Sequence, residues 1–493
     1  MNVLADVPIS RHLSVSGLVR VIGDWRTRTP AYAALADAVR AGVLSGAVPL
    51  GTRLPSERDL AATLGVSRTT TAAAYDLLRE QGYAVGRTGV GTVTLLPRQD
   101  RPTAQPGIVG GDAPSTDDVV TPDDVIYLSQ ATPAAPPQLH PAYTRALEAL
   151  PAYLPGHGYD PLGLQPLRVA LAQLYTDRGT PTVPDQILVT TGAQHAISTL
   201  LAALVGRGDR VVVQSPTYAH ALDAARGAGA RLVGVPVGSG VEAPGFDGDL
   251  FESTVRQVAP RLVYLVPDHH NPTGYSLTPA EREHVRAVAR RHRVTVLGDE
   301  TLVDIGLDRP GLPEDHGQEH TFCGDGSGHG RVLAIGSASK TFWGGLRVGW
   351  IRAHPDLVAR LARTRGASDV ATSVLEQLAV VELLTERRAL LADRVEDLRG
   401  RRDTLVDALR ATIRDWDVPR PPGGLSLWVG LPSPRAHALV SAAADHGVVI
   451  NAGPQLTPDG SARDHVRLAY AQDTATLLRA VPRLQAAWRH VAG

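Results

Sequence analysis

The sequence of 493 residues contains one lysine, Lys340, and one cysteine, Cys323. A single cysteine excludes an intramolecular disulfide bond, which fits a reducing compartment. The sequence also lacks an uninterrupted apolar run long enough to span a membrane. Residues 1–20 lack the basic and apolar regions of a signal peptide. We therefore expect a cytoplasmic protein without membrane segments.

An excess of charge of either sign is absent as well. The chain has 49 basic and 50 acidic residues, a formal net charge of −1. The whole chain is therefore not a polyanion binder, although one domain could be. Its hydrophobic content of 43% is ordinary for a globular protein, and its length allows several domains and a large core.

The scarcity of lysine makes Lys340 informative. The other 48 of the 49 basic residues are arginine. The guanidinium of arginine stays protonated and cannot act as an amine nucleophile. A lysine retained in such a background, within Gly336–Arg347, indicates an amine that forms a Schiff base with a carbonyl cofactor.

Composition divides the chain into four segments. Residues 1–30 form an arm, 31–97 a small domain, 98–124 a linker rich in Pro, Gly and Asp, and 125–493 a large domain. In the large domain, continuously apolar runs alternate with helical patterns, which predicts an α/β fold with a mainly parallel sheet. The predicted strands are Ile187–Thr190, Arg210–Gln214, Arg231–Pro236, Leu262–Pro267, Val294–Gly298 and Arg331–Gly336.

The small domain has the pattern of a winged helix-turn-helix. Ser56 and Ser67 are placed to cap two short helices, and Gly65 lies in the turn between them. Val85–Arg87 and Thr92–Leu95 then predict a hairpin wing. The third helix of the domain begins with hydrogen-bond donors where a recognition helix meets DNA.

This block resembles the GntR-type winged helix. The resemblance rests on Leu54–Ala61, Leu64–Thr70 and Leu77–Tyr83, which match in order and spacing. Residues 31–97 hold six arginines and five acidic residues, a charge balance of +1. DNA binding must therefore depend on contacts by individual residues and on dimerisation rather than on bulk charge. The resemblance implies that double-stranded DNA is contacted by Arg58, Arg68, Thr69, Thr70 and the wing glycines Gly89 and Gly91.

The large domain offers a candidate for each group that a pyridoxal 5′-phosphate (PLP) site requires. Thr191–Gln194 lies at a strand-to-helix junction, where free N–H groups favour a phosphate. Ser337 and Arg347 flank Lys340 and can add a hydroxyl and a guanidinium to that phosphate.

The remaining candidates are distributed along the domain. Asp299 ends an apolar strand and can pair with the pyridine nitrogen, which would make the cofactor an electron sink. Asn271 can donate to the phenolic oxygen, and Tyr218 can stack on the ring. Arg467 is a late arginine suited to the carboxylate of a substrate or effector.

In this order, these residues resemble fold-type I aminotransferases over about residues 125–490. The match includes Tyr159–Gly163, and in the family the tyrosine, here Tyr159, reaches the phosphate of a neighbouring subunit. The resemblance therefore implies a homodimer. The complete set expected to bind the cofactor is Tyr159, Gly192, Ala193, Gln194, Tyr218, Asn271, Asp299, Ser337, Lys340 and Arg347.

A GntR-type winged helix joined to an aminotransferase-like domain resembles the MocR family of bacterial transcription regulators. This implies a PLP-dependent, DNA-binding regulator that senses PLP, an amine or an amino acid. A working aminotransferase with a DNA-binding domain is the alternative, because sensing and catalysis need nearly the same residues. Many relatives have a tyrosine where this chain has Thr301, which places turnover in question more than PLP binding.

One further stretch, Gly306–Gly330, contains residue types that bind metals. It is rich in Gly and Asp and lies between two predicted strands, so we interpret it as a surface loop and expect no metal site. Its histidines and cysteine are His316, His320, Cys323 and His329.

Overall fold

The computed structural model describes residues 11–26, 30–87, 91–95, 124–238, 245–308, 315, 321–324 and 331–492. These residues form two compact units. The first contains residues 11–95 and 137–141, and the second contains 124–136 and 142–492, within the stated gaps. The linker expected over 98–124 lies almost wholly outside the described residues, so the domain boundaries stay a prediction.

The first unit is a four-helix, four-stranded fold over its described residues. Helix α4 begins with Arg68, the residue at which we expected the recognition helix to start. The elements are β1 (Arg11–His12), α1 (Val15–Ile22), α2 (Ala31–Leu44), β2 (Thr52–Arg53), α3 (Glu57–Leu64), α4 (Arg68–Glu80), β3 (Ala84–Arg87) and β4 (Gly91–Thr94).

The helix-turn-helix and its wing are confirmed. Ser56 caps α3 by accepting from the N–H of Asp59, and Ser67 caps α4 by accepting from the N–H of Thr70. Gly65 ends α3 in the left-handed conformation, with φ of 64°, which a side chain would disfavour. Strands β3 and β4 pair as an antiparallel hairpin within a sheet of order β1-β2-β4-β3. Gly89 lies outside the described residues.

Residues of the expected arm belong to the core of this unit. Leu18 and Ile22 of α1, together with Trp25, are buried against Leu35 and Val39 of α2. Burial of such apolar surface is the main source of stability for a fold this small. The described part of the arm is therefore structural.

The second unit contains the remaining elements. Its helices are α5 (Leu139–Ala149), α6 (Gln165–Asp177), α7 (Ala193–Leu204), α8 (Ala219–Gly227), α9 (Gly248–Val258), α10 (Pro279–Arg291), α11 (Ala338–Thr341), α12 (Pro355–Thr364), α13 (Val374–Thr385), α14 (Arg387–Thr412), α15 (Ala436–Asp445) and α16 (Thr474–Ala492). Its strands are β5 (Ile126–Tyr127), β6 (Ile187–Thr190), β7 (Arg210–Ser215), β8 (Arg231–Pro236), β9 (Leu262–Leu265), β10 (Thr295–Asp299), β11 (Val332–Ser337), β12 (Gly349–Arg352), β13 (Ser426–Gly430), β14 (Val448–Val449), β15 (Asn451–Ala452) and β16 (His465–Ala469).

The central sheet has seven strands in the order β6-β12-β11-β10-β9-β7-β8. Strand β12 is antiparallel to both neighbours, and the other pairings are parallel. The mainly parallel α/β fold is thus confirmed. Because parallel strands share one carboxyl edge, Asp299 at the end of β10 and Ser337 at the end of β11 both lie there, with Asp299 opposite Ile335.

A second core lies in the carboxyl-terminal part of this unit. Helices α14, α15 and α16 pack on the three-stranded sheet β13-β16-β15, with Leu405, Leu427, Leu468 and Leu484 fully buried among them. Strand β16 carries Arg467, so this second core fixes the position of that guanidinium. Among the described helices, none combines the length and apolar character needed to cross a membrane.

Candidate cofactor and effector site

A cavity of about 430 Å³ opens at the carboxyl edge of the central sheet. This edge is where ligands bind in open α/β sheets. Of the residues expected to bind the cofactor, all except Tyr159 and Gly192 line this cavity, and the effector residue Arg467 lines it with them. The expected residues that it gathers are Ala193, Gln194, Tyr218, Asn271, Asp299, Ser337, Lys340, Arg347 and Arg467.

Lys340 projects into this cavity from the short helix α11. Its Nζ donates to the carbonyl oxygen of Ala131 at 2.7 Å and contacts the hydroxyl of Thr132 at 3.1 Å. Burial lowers the pKa of Lys340 to about 8, and the positive charges of Arg467 and Arg347 act in the same direction. The amine is therefore closer to its neutral, nucleophilic form at physiological pH than an ordinary lysine.

Asp299 lies at the end of β10 and is buried. Its Oδ2 accepts from the hydroxyl of Tyr264 at 2.7 Å, and its Oδ1 accepts from the N–H of Thr301 at 3.0 Å. Burial raises the pKa of Asp299, and the two hydrogen bonds oppose that shift. Burial disfavours an isolated carboxylate, and a cationic ring nitrogen beside Asp299 would supply the compensating charge.

The start of α7 forms one wall of the cavity. No side chain caps this helix, so the dipole and free N–H groups of its first turn, at Ala193 and Gln194, favour an anion. Gly192 precedes the helix with φ of 85°, and a Cβ there would lie 2.7 Å from Nη2 of Arg347. That guanidinium also donates to the carbonyl of Thr191 at 3.1 Å. Glycine is therefore needed at 192 for the guanidinium to pack against the helix start.

Ser337 completes this anion-binding wall from the end of β11. Its hydroxyl caps α11 by accepting from the N–H of Ser339 at 3.1 Å, and the side chain lines the cavity. Thus the segment that carries Ser337 and Arg347 is brought together with the start of α7, which lies far from it in the sequence.

Arg467 enters the cavity from β16, far along the chain from the residues of this wall. Its guanidinium donates to Oδ1 of Asn271 at 3.2 Å, to Oδ1 of Asn451 at 2.9 Å and to the carbonyl of Ser129 at 2.5 Å. Its Nε is buried without a partner among the described residues. Burial lowers the pKa of Arg467 to about 10, and none of these three acceptors is a carboxylate. An unpaired buried cation of this kind fits an incoming carboxylate.

The contact with Arg467 also orients Asn271. Because Oδ1 of Asn271 accepts from the guanidinium, its amide NH₂ remains available to donate to a phenolic oxygen. Tyr218 lines the same cavity and contacts His220 edge-on, with ring centroids 5.4 Å apart. Burial raises the pKa of Tyr218 to about 12, so it stays neutral.

Tyr159 lies elsewhere. Its side chain is 62% exposed and does not line the cavity of its own chain. This placement is compatible with the expectation that it serves a neighbouring subunit, which stays a prediction.

Sequence reasoning missed two parts of the site. The first is Tyr264, which holds Asp299 but is one residue of a uniformly apolar strand. The second is Ser129–Thr132, which we call the strap; it lines the cavity and accepts from both Lys340 and Arg467. The strap has no periodic pattern or charged residue that could have marked it.

The DNA-contact candidates lie together at the start of α4 and on α3. Arg58, Arg68 and Thr69 are exposed, and Arg58 and Arg68 form no ion pair with any described residue. The hydroxyls of Thr69 and Thr70 contact Ser67 Oγ at 2.7 and 2.8 Å. Gly91 opens β4 with φ of 107°, a conformation that glycine adopts readily.

Metal ligands do not cluster in the described part of the chain. Cys323 is buried there, whereas His316, His320 and His329 lie outside the described residues.

Comparison with known families agrees with this geometry. The model of the family described as aminotransferase class I and II matches residues 145–484. The chain belongs to this aminotransferase family. A second model, for bacterial regulatory proteins of the gntR family, matches residues 31–93. The protein is thus a GntR-type DNA-binding domain fused to a class I and II aminotransferase domain, the architecture of a MocR-type regulator.

Individual relatives show the same two parts. An uncharacterised HTH-type transcriptional regulator, YdfD of Bacillus subtilis (strain 168), is 27% identical and covers 90% of this chain and 93% of its own. A probable rhizopine catabolism regulatory protein, MocR of Rhizobium meliloti, is 29% identical over 78% of each chain. Relatives described as regulators therefore align over most of this chain.

The structure of LysN, the α-aminoadipate aminotransferase of Thermus thermophilus, is similar to the second unit. It is complexed with N-(5′-phosphopyridoxyl)-L-leucine, is 26% identical, has a TM-score of 0.66 and covers 75% of this chain and 93% of its own. The class I and II aminotransferase fold of this protein implies PLP as its cofactor. The residues present fit that group, because an amine, a buried carboxylate, an uncapped helix start and a partly unpaired guanidinium surround one cavity.

Proposed function

We propose that this protein is a transcriptional regulator whose aminotransferase-like unit binds PLP and senses PLP itself, an amine or an amino acid. One observation carries the proposal. The cavity gathers Lys340, Asp299 and Arg467 in a chain whose other unit is a GntR-type reader of double-stranded DNA. A protein that combines both can couple occupancy of the cavity to occupancy of DNA.

In the proposed site, Lys340 supplies the amine and Asp299 holds the pyridine nitrogen. When bound, PLP supplies an aldehyde for the lysine and a ring that withdraws electrons. Ser337, Arg347 and the first turn of α7 bind the phosphate dianion. Burial of Lys340 raises the share of its unprotonated amine, so the residue can attack a carbonyl near neutral pH.

The remaining residues orient the ring and the effector. Tyr218 packs against the ring, and the amide of Asn271 donates to the phenolic oxygen. Arg467 binds the carboxylate of an amino-acid effector. For this carboxylate to engage both terminal nitrogens of the guanidinium, Nη2 must give up one of its two contacts, with the carbonyl of Ser129 or with Oδ1 of Asn451.

The strap provides a physical link between the cavity and the preceding chain. It is held by Nζ of Lys340 at Ala131 and by the guanidinium of Arg467 at Ser129. Ligands that use these same two donors compete with both contacts, so binding in the cavity can change how the strap is held. The strap lies a few residues beyond the predicted linker, which places it between sensor and reader in the chain.

The test is a titration of the full-length protein on its own upstream DNA, with and without PLP, against competitor DNA. We expect specific binding whose affinity changes with PLP by about 5- to 150-fold, the usual range of a coupling between two sites. The variant Lys340→Ala should bind DNA with an affinity that PLP no longer changes. Specific DNA binding that is identical with and without PLP would contradict the sensing part of the proposal.

A catalytically active aminotransferase is the second candidate, favoured by the same set of Lys340, Asp299 and Arg467. It predicts that the PLP-loaded protein converts an amino acid to its oxo acid and is regenerated by a second oxo acid. Thr301, in place of a tyrosine donor, argues for weak turnover. Repeated turnover in a coupled assay, without specific DNA binding, would favour this candidate over the regulator.

We further propose a homodimer in which Tyr159 of each chain serves the phosphate site of the other. Its 62% exposure in its own chain supports this arrangement. Light scattering on the purified protein should give twice the mass of 52.1 kDa. A monomer at micromolar concentration that still binds PLP would contradict a shared site.

A further inference from the structure

The amino edge of the central sheet, opposite the cofactor cavity, carries a regular series of arginines. Five neighbouring parallel strands each begin with an arginine or closely follow one. In the spatial order β11, β10, β9, β7 and β8, these residues are Arg331, Arg293, Arg261, Arg210 and Arg231, which we call the arginine row.

Strand register places the members of the row side by side. Arg210 pairs directly with Arg231, and the N–H of Arg261 donates to the carbonyl of Arg210 at 2.8 Å. The side chain of Arg331 donates to the carbonyl of Arg293 at 2.8 Å. With strands about 4.8 Å apart, five strands span about 19 Å.

The guanidiniums are available for a ligand. Arg210, Arg231, Arg261 and Arg293 are exposed, and no member of the row forms an ion pair within the described ranges. Arg210 and Arg261 each use one nitrogen to contact a backbone carbonyl, of Val258 and Leu204 respectively. These contacts orient the side chains and leave other N–H donors directed to solvent.

Helix α12 extends the positive surface. Arg360 and Arg363 line an open cleft of about 720 Å³ together with Arg261 and His354. The carboxylate of Asp356 lies in the same cleft, 3.5 Å from His354. The positive charge of this cleft therefore exceeds its negative charge.

Two other carboxylates near this edge already have partners. Asp209 accepts from the N–H of Gly206 at 2.8 Å. Glu252 is engaged by His292 at 3.0 Å and by Arg291. Arginines therefore outnumber the carboxylates named along this edge, although the net charge of the chain is −1.

We propose that the arginine row, with Arg360 and Arg363, binds the sugar-phosphate backbone of the DNA on which the protein sits. A linear series of cations suits a linear polyanion, and 19 Å of DNA helix axis carries roughly six phosphates of one strand, at about 3.4 Å of axis each. The GntR-type unit has a charge balance of only +1, so it supplies little of the electrostatic attraction that DNA binding normally uses. The row supplies a contact that is independent of base sequence.

This inference rests on DNA binding by the protein, as proposed above. The test compares the salt dependence of DNA affinity of the full-length protein and of the triple variant Arg210→Ala/Arg231→Ala/Arg261→Ala. The probe is a duplex that extends beyond the operator on both sides. If each arginine contacts one phosphate, the slope of log affinity against log salt concentration should become shallower by roughly 2.7.

A matched control removes three exposed arginines away from this edge, Arg414→Ala/Arg463→Ala/Arg489→Ala. It changes the net charge equally and should leave the slope near that of the parent. The double variant Arg360→Ala/Arg363→Ala, which alters only exposed side chains of α12, should reduce the slope by roughly 1.8 even if the triple variant folds poorly. PLP content of each protein reports correct folding, because the cofactor cavity lies at the other edge of the sheet.

The outcomes separate this inference from the proposed function. If the parent binds no DNA, both fail. If the parent binds and the row variants keep its slope, only the inference is overturned. If the variants lose affinity for RNA in a parallel titration while their DNA slope is unchanged, the row binds RNA and the DNA proposal is wrong.

Discussion

At the scale of single residues, the site depends on charges that are buried and only partly compensated. Lys340, Asp299 and Arg467 share one cavity. Burial raises the pKa of Asp299 and lowers the pKa values of Lys340 and Arg467, so it favours the neutral form of each side chain. Such displaced values are common where side chains must bind or react with a ligand. Two predictions about cofactor binding follow, one from the lowered pKa of Lys340 and one from the hydrogen bond between Tyr264 and Asp299.

The rate of PLP attachment to Lys340 should increase with pH, reach half of its maximum near pH 8 and level off above that pH. The neutral amine is the nucleophile, and its pKa is lowered to about 8 from the ordinary value of 10.5. Mass spectrometry after borohydride reduction at timed intervals measures the attached fraction. Lys340→Arg, which keeps the charge, should show no attachment at any pH. A rate that continues to rise up to pH 10 would show that the amine is not perturbed.

Replacing Tyr264 with phenylalanine should weaken PLP binding by roughly tenfold or more. The change removes a hydrogen bond to a buried carboxylate, and such bonds to charged groups contribute about 1.5–3 kcal/mol. Fluorescence titration of the apo protein measures the affinity. Tyr470→Phe is a matched control, because its hydroxyl is equally buried but contacts Gly423 outside the cavity. Equal effects of both changes would exclude a positioning role for Tyr264.

At the scale of elements, a buried ion cluster joins the lysine helix to two long helices. Asp304 accepts from Arg178 at the end of α6 at 2.6 Å, and from Arg387 at the start of α14 at 2.5 Å. Its other oxygen accepts from Thr341, the neighbour of Lys340, at 2.9 Å. Although burial alone would raise it, the two arginines hold the pKa of Asp304 well below its usual range. The position of α11 is thereby tied to the packing of α6 and α14.

Asp304→Asn should lower the free energy of unfolding at pH 7 by roughly 3–5 kcal/mol, because it leaves two buried guanidiniums without their counter-charge. A depressed carboxyl pKa contributes stability above the unfolded value of about 3.9, which is lost as pH falls through the folded value. The difference between parent and variant in urea unfolding should therefore shrink in acid. Asp407→Asn, in the exposed pair with Arg420, should cost less than about 1 kcal/mol. Equal costs would contradict the buried cluster as a stabilising element.

The start of α4 makes a prediction for DNA recognition. Arg68→Ala should weaken specific binding by roughly 1–3 kcal/mol if the side chain contacts a base. Fluorescence anisotropy with operator and mismatched duplexes measures both affinity and specificity. Arg20→Ala, an exposed arginine on α1 of the same unit, controls for loss of charge. An affinity unchanged by Arg68→Ala would place the recognition surface elsewhere.

The pattern of apolar runs predicted six of the seven strands of the central sheet to within two residues. The strand expected at Val294–Gly298 is Thr295–Asp299, so the aspartate belongs to the strand itself. Strand β12 was not predicted because its four residues follow a glycine-rich turn and include Trp350 and Arg352. Its antiparallel insertion between β6 and β11 brings the start of α7 next to Ser337. Sequence patterns carry no register, so that adjacency could not be derived.

The side chains of the site were predictable where the chemistry requires a rare residue type in a recognisable neighbourhood, as for Lys340 and Asp299. Tyr264 was not predictable, because a continuously apolar sequence does not show which side chains of β9 lie beside the carboxyl end of β10. Its register, with Tyr264 opposite Leu297, determines that the hydroxyl reaches Asp299. The strap was missed for a different reason, since its contribution to the site is made largely by backbone carbonyls.

At the scale of the whole molecule, the exposed Tyr159 predicts a shared site. Tyr159→Phe should weaken PLP binding by about tenfold, because it removes a hydrogen bond to a charged phosphate held by the other subunit. PLP affinity by fluorescence and mass by light scattering should be measured on the same sample. Tyr32→Phe, an exposed tyrosine of the first unit, should leave both unchanged. A dimer whose PLP affinity is indifferent to Tyr159→Phe would exclude this residue from the site.

The strap also gives the molecule a characteristic time scale. If Lys340 attaches PLP as proposed, its Nζ must first give up the hydrogen bonds to the carbonyl of Ala131 and the hydroxyl of Thr132. Stopped-flow mixing should then show an observed rate that reaches a plateau as the PLP concentration rises, since the opening step does not depend on that concentration. A slow opening step would make the protein respond to sustained changes in cofactor supply rather than to brief ones.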